Sequence, residues 1–108
     1  MMKESATELA GFQKKYLRGL AHGLKPIVYI GHKGLTESVA AALDQALLSH
    51  ELVKAKFIDD KDKPFKTQTL KALEKAVGAD VVGMIGHIAI FYRPNPDPQK
   101  RRISIPRS

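Results

Sequence analysis

Two glycines and a lysine stand in the short segment Gly31-His32-Lys33-Gly34. The apolar, β-branched run 27–30 predicts a buried strand before it, and the amphipathic run 37–50 predicts a helix after it. Glycine permits positive φ and close approach of a ligand, and the first amides of a helix lack internal partners and carry partial positive charge. The segment therefore predicts an anion-binding turn, with Lys33 as a mobile charge. The alternative is a tight turn that needs glycine for geometry alone.

Residue types that carry catalysis or bind metals do not occur in suitable patterns. Ser38 and Ser49 lack a G-x-S-x-G context, and the four histidines lack zinc spacing and have no cysteine to support them. The aspartates of segment 59–62 lack the glycine and terminal glutamate of a calcium loop. No carboxylate pair stands in an apolar context that favours acid–base work. We therefore predict no enzyme, no metal site and no cofactor, and rank a small enzyme with a phosphate pocket last.

Composition limits the class of protein. A chain of 108 residues with 44 % hydrophobic residues can form one modest core. The absence of cysteine excludes disulfides and fits a reducing compartment, so a cytoplasmic location is expected. No apolar run is long enough to cross a bilayer, and we expect no membrane association. A net charge of +7 favours a polyanionic partner, with simple solubility as the alternative.

Hydrophobic periodicity predicts the order helix, strand, helix, strand, helix, strand, strand. A capping box at 5–8 begins the first helix, which ends near His22, and Gly86-His87 joins the last two strands as a hairpin. Strands separated by helices favour parallel pairing, whereas the hairpin must be antiparallel. We therefore predict an α/β (α+β) two-layer fold, with helices packed on a mixed four-stranded sheet whose strand order is undetermined.

The apolar positions of these elements predict the core. The first helix has an apolar stripe of five residues at helical spacing: Leu9, Phe12, Tyr16, Leu17 and Leu20. The other two helices and the second strand share one core, which includes Leu43, Leu47, Phe57, Leu70 and Leu73. Tyr29, Phe91 and Tyr92 could stack on nucleic-acid bases, although aromatic residues in strands more often belong to the core.

Basic residues are grouped along the chain. Lys14, Lys15 and Arg18 share one face of the first helix and form either a phosphate-contacting ridge or a solvated face. Lys54 and Lys56 alternate with apolar residues and lie on the open face of the second strand. The tail, residues 95–108, combines prolines with a basic cluster at 100–102, and its alternating segment 103–105 can dock as an edge strand.

Five ordered segments carry a family resemblance: 16–22, 24–28, 31–37, 51–54 and 91–94. Together they resemble a CRM domain (chloroplast RNA splicing and ribosome maturation) in its stand-alone bacterial YhbY-type form, over about Thr7 to Pro106. The resemblance implies an RNA-binding domain with a fold similar to the C-terminal domain of translation initiation factor 3. It also implies association with precursor large ribosomal subunits, and it places the family's GxxG loop at Gly31 to Gly34.

We therefore predict a single domain over residues 1–94, a basic tail over 95–108, and a non-catalytic protein that contacts ribosomal RNA during large-subunit assembly. The alternative is a protein-interaction module that docks on a ribosomal protein or assembly factor through the sheet face. No small-molecule substrate is expected, and the sequence leaves the oligomeric state open. The expected RNA-binding residues are Gly31, His32, Lys33, Gly34, Lys14, Lys15, Arg18, Lys25, Lys54, Lys56 and Arg93.

Overall fold

A computed structural model describes residues 9–59 and 62–107. Within them the elements follow the predicted order. They are α1 (Gly11–Ala21), β1 (Val28–Ile30), α2 (Glu37–His50), β2 (Leu52–Phe57), α3 (Lys63–Val77), β3 (Asp80–Ile85), β4 (Ile88–Tyr92) and a short 3-10 helix (Pro98–Lys100). No helix of this part of the chain is long and apolar enough to span a membrane.

The strands form one mixed sheet with the order β1-β2-β4-β3. β1 and β2 are parallel, whereas β4 is antiparallel to both β2 and β3. The predicted mixed sheet is confirmed, and Gly86 takes the positive φ of 61° that the β3–β4 hairpin requires. The strand order, which the sequence left open, places β1 and β3 at opposite edges.

Helices cover both faces of this sheet. α2 and α3 enclose one core, in which the predicted set of Leu43, Leu47, Phe57, Leu70 and Leu73 comes together. α1 encloses a second core on the other face. Alternate residues of β4 enter the two cores, because successive strand side chains point to opposite faces. The fold class is confirmed, with three layers rather than the expected two.

Local sequence signals define the ends of α2 and α3. Thr36 Oγ1 accepts a hydrogen bond from the Val39 amide at 3.2 Å, as an N-cap residue should. The Asp62 carboxylate accepts from the Phe65 amide at 3.0 Å, and Pro64 lies in the first turn of α3. Gly78 ends α3 in the left-handed conformation.

The expectations for α1 are partly wrong. The helix begins at Gly11, so Leu9 precedes it, and the predicted capping box lies outside the described residues. Of the predicted stripe, Leu17 is fully buried, but the exposed fractions of Phe12, Tyr16 and Leu20 are 47 %, 41 % and 43 %. α1 approaches the sheet through Leu17 and the small Ala21, one turn apart, and this leaves the neighbouring apolar side chains in solvent.

The tail docks, but its described residues form no strand. The carboxylate of Glu51 accepts hydrogen bonds from the amides of Asn95, Arg102 and Ile103 at 2.7, 2.8 and 3.2 Å. The side chains of Ile103 and Ile105 pack against the α1-side core. A buried carboxylate therefore replaces the strand ladder that the alternation of 103–105 predicted.

Candidate nucleic-acid interface

The GxxG segment forms a tight turn directly after β1. The Gly34 amide donates to the Gly31 carbonyl oxygen at 3.0 Å, while the amides of His32 and Lys33 have no acceptor in the described chain. The Lys33 side chain is exposed and forms no ion pair or hydrogen bond with other described residues. The turn and the start of α2 line a depression of about 220 Å³. Two free amides and one free ammonium therefore lie together at an open surface.

The two glycines of this turn have different roles. Gly34 is buried with a φ of 70°, and a Cβ there would lie 2.8 Å from Thr69 Oγ1 and 3.2 Å from Phe65 Cζ. The fold itself therefore requires glycine at position 34. Gly31 lies outside the positive-φ region, and a Cβ there would have one neighbour within 4 Å among the described residues, Ile58 Cδ1 at 4.0 Å. Neither the backbone conformation nor the packing requires glycine at position 31.

Part of the start of α2 is capped by its own side chains. The Thr36 side chain and carbonyl accept from the amides of Val39 and Ala40, which leaves Glu37 and Ser38 as the helix-start amides without intrahelical partners. However, the exposed Glu37 carboxylate lies in this first turn and already complements the helix dipole. An added phosphate would be repelled there, so the turn amides and Lys33 are the stronger donors.

Three predicted lysines lie along the β1–β2 side of the sheet, here named the basic margin: Lys25, Lys54 and Lys56. Lys56 is paired with Tyr29 of β1, whose side chain is 54 % exposed. Lys54 Nζ donates to the carbonyl oxygens of Leu24 at 2.9 Å and His22 at 3.5 Å. Lys54 therefore fixes the loop between α1 and β1 while it keeps its charge at the surface. Lys25 is exposed in that loop.

The predicted ridge on α1 is not brought to the turn. Arg18 Nη1 donates to the Val82 carbonyl oxygen at 2.8 Å, and the Arg18 side chain fills the space beside Gly83 of β3. Lys14 is one turn earlier and lies on the same side of α1 as Arg18. β3 is the sheet edge opposite β1, roughly 14 Å away at ~4.8 Å per strand. Lys14 and Arg18 thus belong to another edge, and Lys15 is simply exposed.

Two further predicted residues have partners within the fold. Arg93 Nη1 donates at 2.7 Å to both Asp44 Oδ1 and the Val77 carbonyl oxygen, and Nη2 donates to the Asp44 carbonyl oxygen at 3.1 Å. The guanidinium joins β4 to α2 and α3, so Arg93 has a structural role, and its contact with RNA stays a prediction. His32 remains exposed in the turn, with Nδ1 3.8 Å from Asp59 Oδ2.

Comparison with known proteins supplies the family. Residues 9–93 match the family model described as the CRS1 / YhbY (CRM) domain. The chain belongs to the CRM-domain family. A Haemophilus influenzae relative named an RNA-binding protein is 41 % identical over 101 residues, which is 94 % of this chain and 98 % of the relative. A Pseudomonas aeruginosa relative, whose name proposes RNA binding, is 38 % identical over 88 % of this chain and 90 % of its own.

A solved structure has the same fold. It is the solution structure of a Staphylococcus aureus protein for which RNA binding is suggested, with a TM-score of 0.76 and 31 % identity over 91 % of this chain and 99 % of that one. The resemblance read from five short segments is therefore confirmed at the level of family and fold. Among the described residues of this CRM domain, no group of three or more metal-ligating side chains occurs.

Sequence reasoning missed an apolar groove on the surface of this CRM domain. Its walls include Tyr16, Leu20, Leu24 and Ile27, with exposed fractions between 41 % and 51 %. The helical spacing predicts a core position for Tyr16 and Leu20, because both residues continue the apolar stripe of α1. The available signal was the width of that stripe, which covers more of the helix circumference than one packed face needs.

Proposed function

We propose that this CRM domain is a non-catalytic RNA-binding protein that contacts ribosomal RNA in precursor large ribosomal subunits, in the cytoplasm, during their assembly. The observation that carries the proposal is Gly31, a glycine that the fold does not require, beside the free amides and free ammonium of the turn. The names of the relatives support RNA as the polyanion, and a net charge of +7 supports contact with its backbone.

The turn supplies the phosphate contact in this proposal. The amides of His32 and Lys33 and the Lys33 ammonium donate to one phosphate, and the absence of a side chain at Gly31 lets the RNA backbone approach. The basic margin then lies beside β1, where its lysines contact neighbouring phosphates. Because these contacts displace counterions, affinity falls with salt, with a log–log slope of about −0.7 to −0.9 per phosphate neutralised.

A charge-matched pair of variants tests this contact. Lys33→Glu and Lys71→Glu each lower the net charge by two. Lys71 is an exposed residue of α3 and lies about 200° around the helix from Thr69, the residue that packs against Gly34. We expect Lys33→Glu to weaken binding of ribosomal RNA by about tenfold or more and to reduce the salt slope by about one. Lys71→Glu should weaken it far less. The unfolding free energies of both variants should stay within about 0.5 kcal/mol of the parent. If the two variants lose RNA affinity equally, only net charge matters and the contact at Lys33 is refuted.

The two glycines provide a second, independent comparison. Gly31→Ala fits the fold without a close contact, so it should keep stability and weaken RNA binding. Gly34→Ala should instead lower stability, because its Cβ meets Thr69 and φ is positive. Unchanged RNA affinity in Gly31→Ala would return the turn to a purely structural role.

The alternative, docking on a ribosomal protein or assembly factor through the sheet face, is less well supported. α2 and α3 cover one face, and α1 with the tail covers β2, β3 and β4 on the other. Retention of the protein on ribosomal particles after complete RNA digestion would favour this alternative. Crosslinking in cells followed by sequencing of the bound RNA would identify the RNA and test the ribosomal assignment.

A further inference from the structure

A groove of about 500 Å³ lies between α1, the loop before β1, the start of β2 and the tail. This volume lies within the range of roughly 300–1,000 Å³ that is common for sites of small ligands. The walls are apolar and open to solvent: Tyr16 is 41 %, Leu20 43 %, Leu24 41 % and Ile27 51 % exposed. In the described chain, the hydroxyl of Tyr16 has no hydrogen-bond partner.

Among the described residues, the charged side chains that line this groove are all basic: Lys25, Lys54 and Arg102. His50 lines it as well, and no described carboxylate does. Glu51, next to His50 in sequence, is buried and its carboxylate accepts the tail amides, including that of Arg102. The same contact fixes the Arg102 backbone at the groove, while the side chains of Lys25 and Arg102 form no ion pair with described residues. The groove thus combines apolar walls with a positively charged rim.

We propose that this groove binds one unpaired base of single-stranded RNA, with the flanking phosphates on Lys25 and Arg102. The base would stack on Tyr16 and contact the aliphatic side chains, as bases do in other single-strand sites. An apolar side chain of a peptide would fit the same apolar walls, but it carries no negative charge that the cationic rim could bind. Bases of a duplex are stacked in the helix and cannot enter. This proposal rests on the proposed function, because it takes RNA as the ligand. It adds that the RNA is single-stranded at this site.

The groove and the GxxG turn lie at the two ends of β1. Ile27 and Tyr29 point to the face opposite Val28 and Ile30, because strand side chains alternate. From Ile27 to Gly31 the chain covers roughly 13 Å at ~3.3 Å per residue. The exposed Tyr29 stands between the two sites, and Lys56 is its cross-strand partner. A single strand that follows β1 can therefore place a base in the groove and a phosphate on the turn.

Methyl NMR spectra of the full chain test the proposal directly. A short oligoadenylate should shift the methyl resonances of Leu20, Leu24 and Ile27 through the ring current of the bound base. An RNA duplex with the same number of phosphates should leave them unchanged. Ile85, 66 % exposed at the end of β3, is an internal control that should not respond to either ligand.

Matched variants give the second measurement. Tyr16→Ala and Ile27→Ser should weaken oligoadenylate binding by about tenfold or more and leave duplex binding unchanged. Ile85→Ser, the same substitution at an exposed isoleucine of the opposite sheet edge, should change neither. Thermal unfolding of each variant confirms that it is folded.

The outcomes separate this proposal from the proposed function. If Lys33→Glu weakens RNA binding while the groove variants and methyl resonances do not respond, the groove proposal is wrong and RNA binding stands. If no RNA binds the parent chain, both are wrong. The groove proposal is also overturned if Ile27→Ser instead disrupts a dimer in sedimentation, or releases the protein from RNA-digested ribosomal particles. Those results would identify a second copy or a protein partner as the occupant.

Discussion

Removal of the negative charge of Glu51 should detach the tail from the domain. Glu51 is 2 % exposed and has a φ of 64°, the single positive φ among non-glycine residues of the described chain. Its Oε1 accepts from the Arg102 and Ile103 amides, and its Oε2 accepts from the Asn95 amide. Glu51→Gln keeps the shape and one acceptor oxygen, but it places an amide NH₂ against at least one of these donors.

The magnitude follows from these three hydrogen bonds. A hydrogen bond to a charged group contributes about 1.5–3 kcal/mol. Glu51→Gln removes one or more such bonds and makes the others neutral. The loss is limited because the tail amides can reach water if the tail leaves, at the cost of exposing the half-buried Ile103 and Ile105, roughly 1 kcal/mol each. We expect a destabilisation of about 2–4 kcal/mol.

Denaturant unfolding with amide exchange and limited proteolysis measures this effect. The amides of Arg102 and Ile103 should exchange faster in Glu51→Gln, and trypsin should cut sooner after Arg101. Glu37→Gln, at an exposed glutamate, is the control and should cost at most about 1 kcal/mol. The reasoning is refuted if Glu51→Gln loses less than about 0.5 kcal/mol, or loses stability while the tail amides stay protected.

Two further predictions concern the two cores. Leu43 is fully buried between α2 and the sheet, so Leu43→Ala should lower the free energy of unfolding by about 2–5 kcal/mol in a denaturant melt; a change below about 0.5 kcal/mol would show that α2 faces elsewhere. Burial, with a smaller contribution from the Glu51 charge, raises the pKa of Tyr92 to about 12. The folded state therefore holds its phenolic proton after the unfolded state has lost it near pH 10, so stability should fall by up to about 1.4 kcal/mol per pH unit between pH 10 and 12. Tyr92→Phe should lack this component, and identical alkaline profiles for the two proteins would contradict the assignment.

The sequence alone determined the features that depend on residues close together in the chain, such as helix ends, turns and the apolar side of each element. Thr36 and Asp62 cap helices whose amides lie three residues away, and Gly78 and Gly86 provide positive φ within their own turns. Alternation and helical spacing placed Leu43 and its partners in one core, because periodicity fixes which side of an element is apolar. The family resemblance depended on the same short segments, and the match over 9–93 confirmed it.

Tertiary structure alone decided which distant residues meet. Sheet order separated Arg18 from the turn, and chain folding brought Arg93 to Asp44 and Glu51 to the tail. The positive φ of Gly34 and the position of Thr69 beside it show that the second glycine is structural, whereas Gly31 has neither feature. Likewise, α1 packs through Leu17, and this choice leaves Tyr16 exposed as a groove wall. Periodicity gives the apolar side of a helix, but which part of that side is covered depends on the shape of the surface against which it packs.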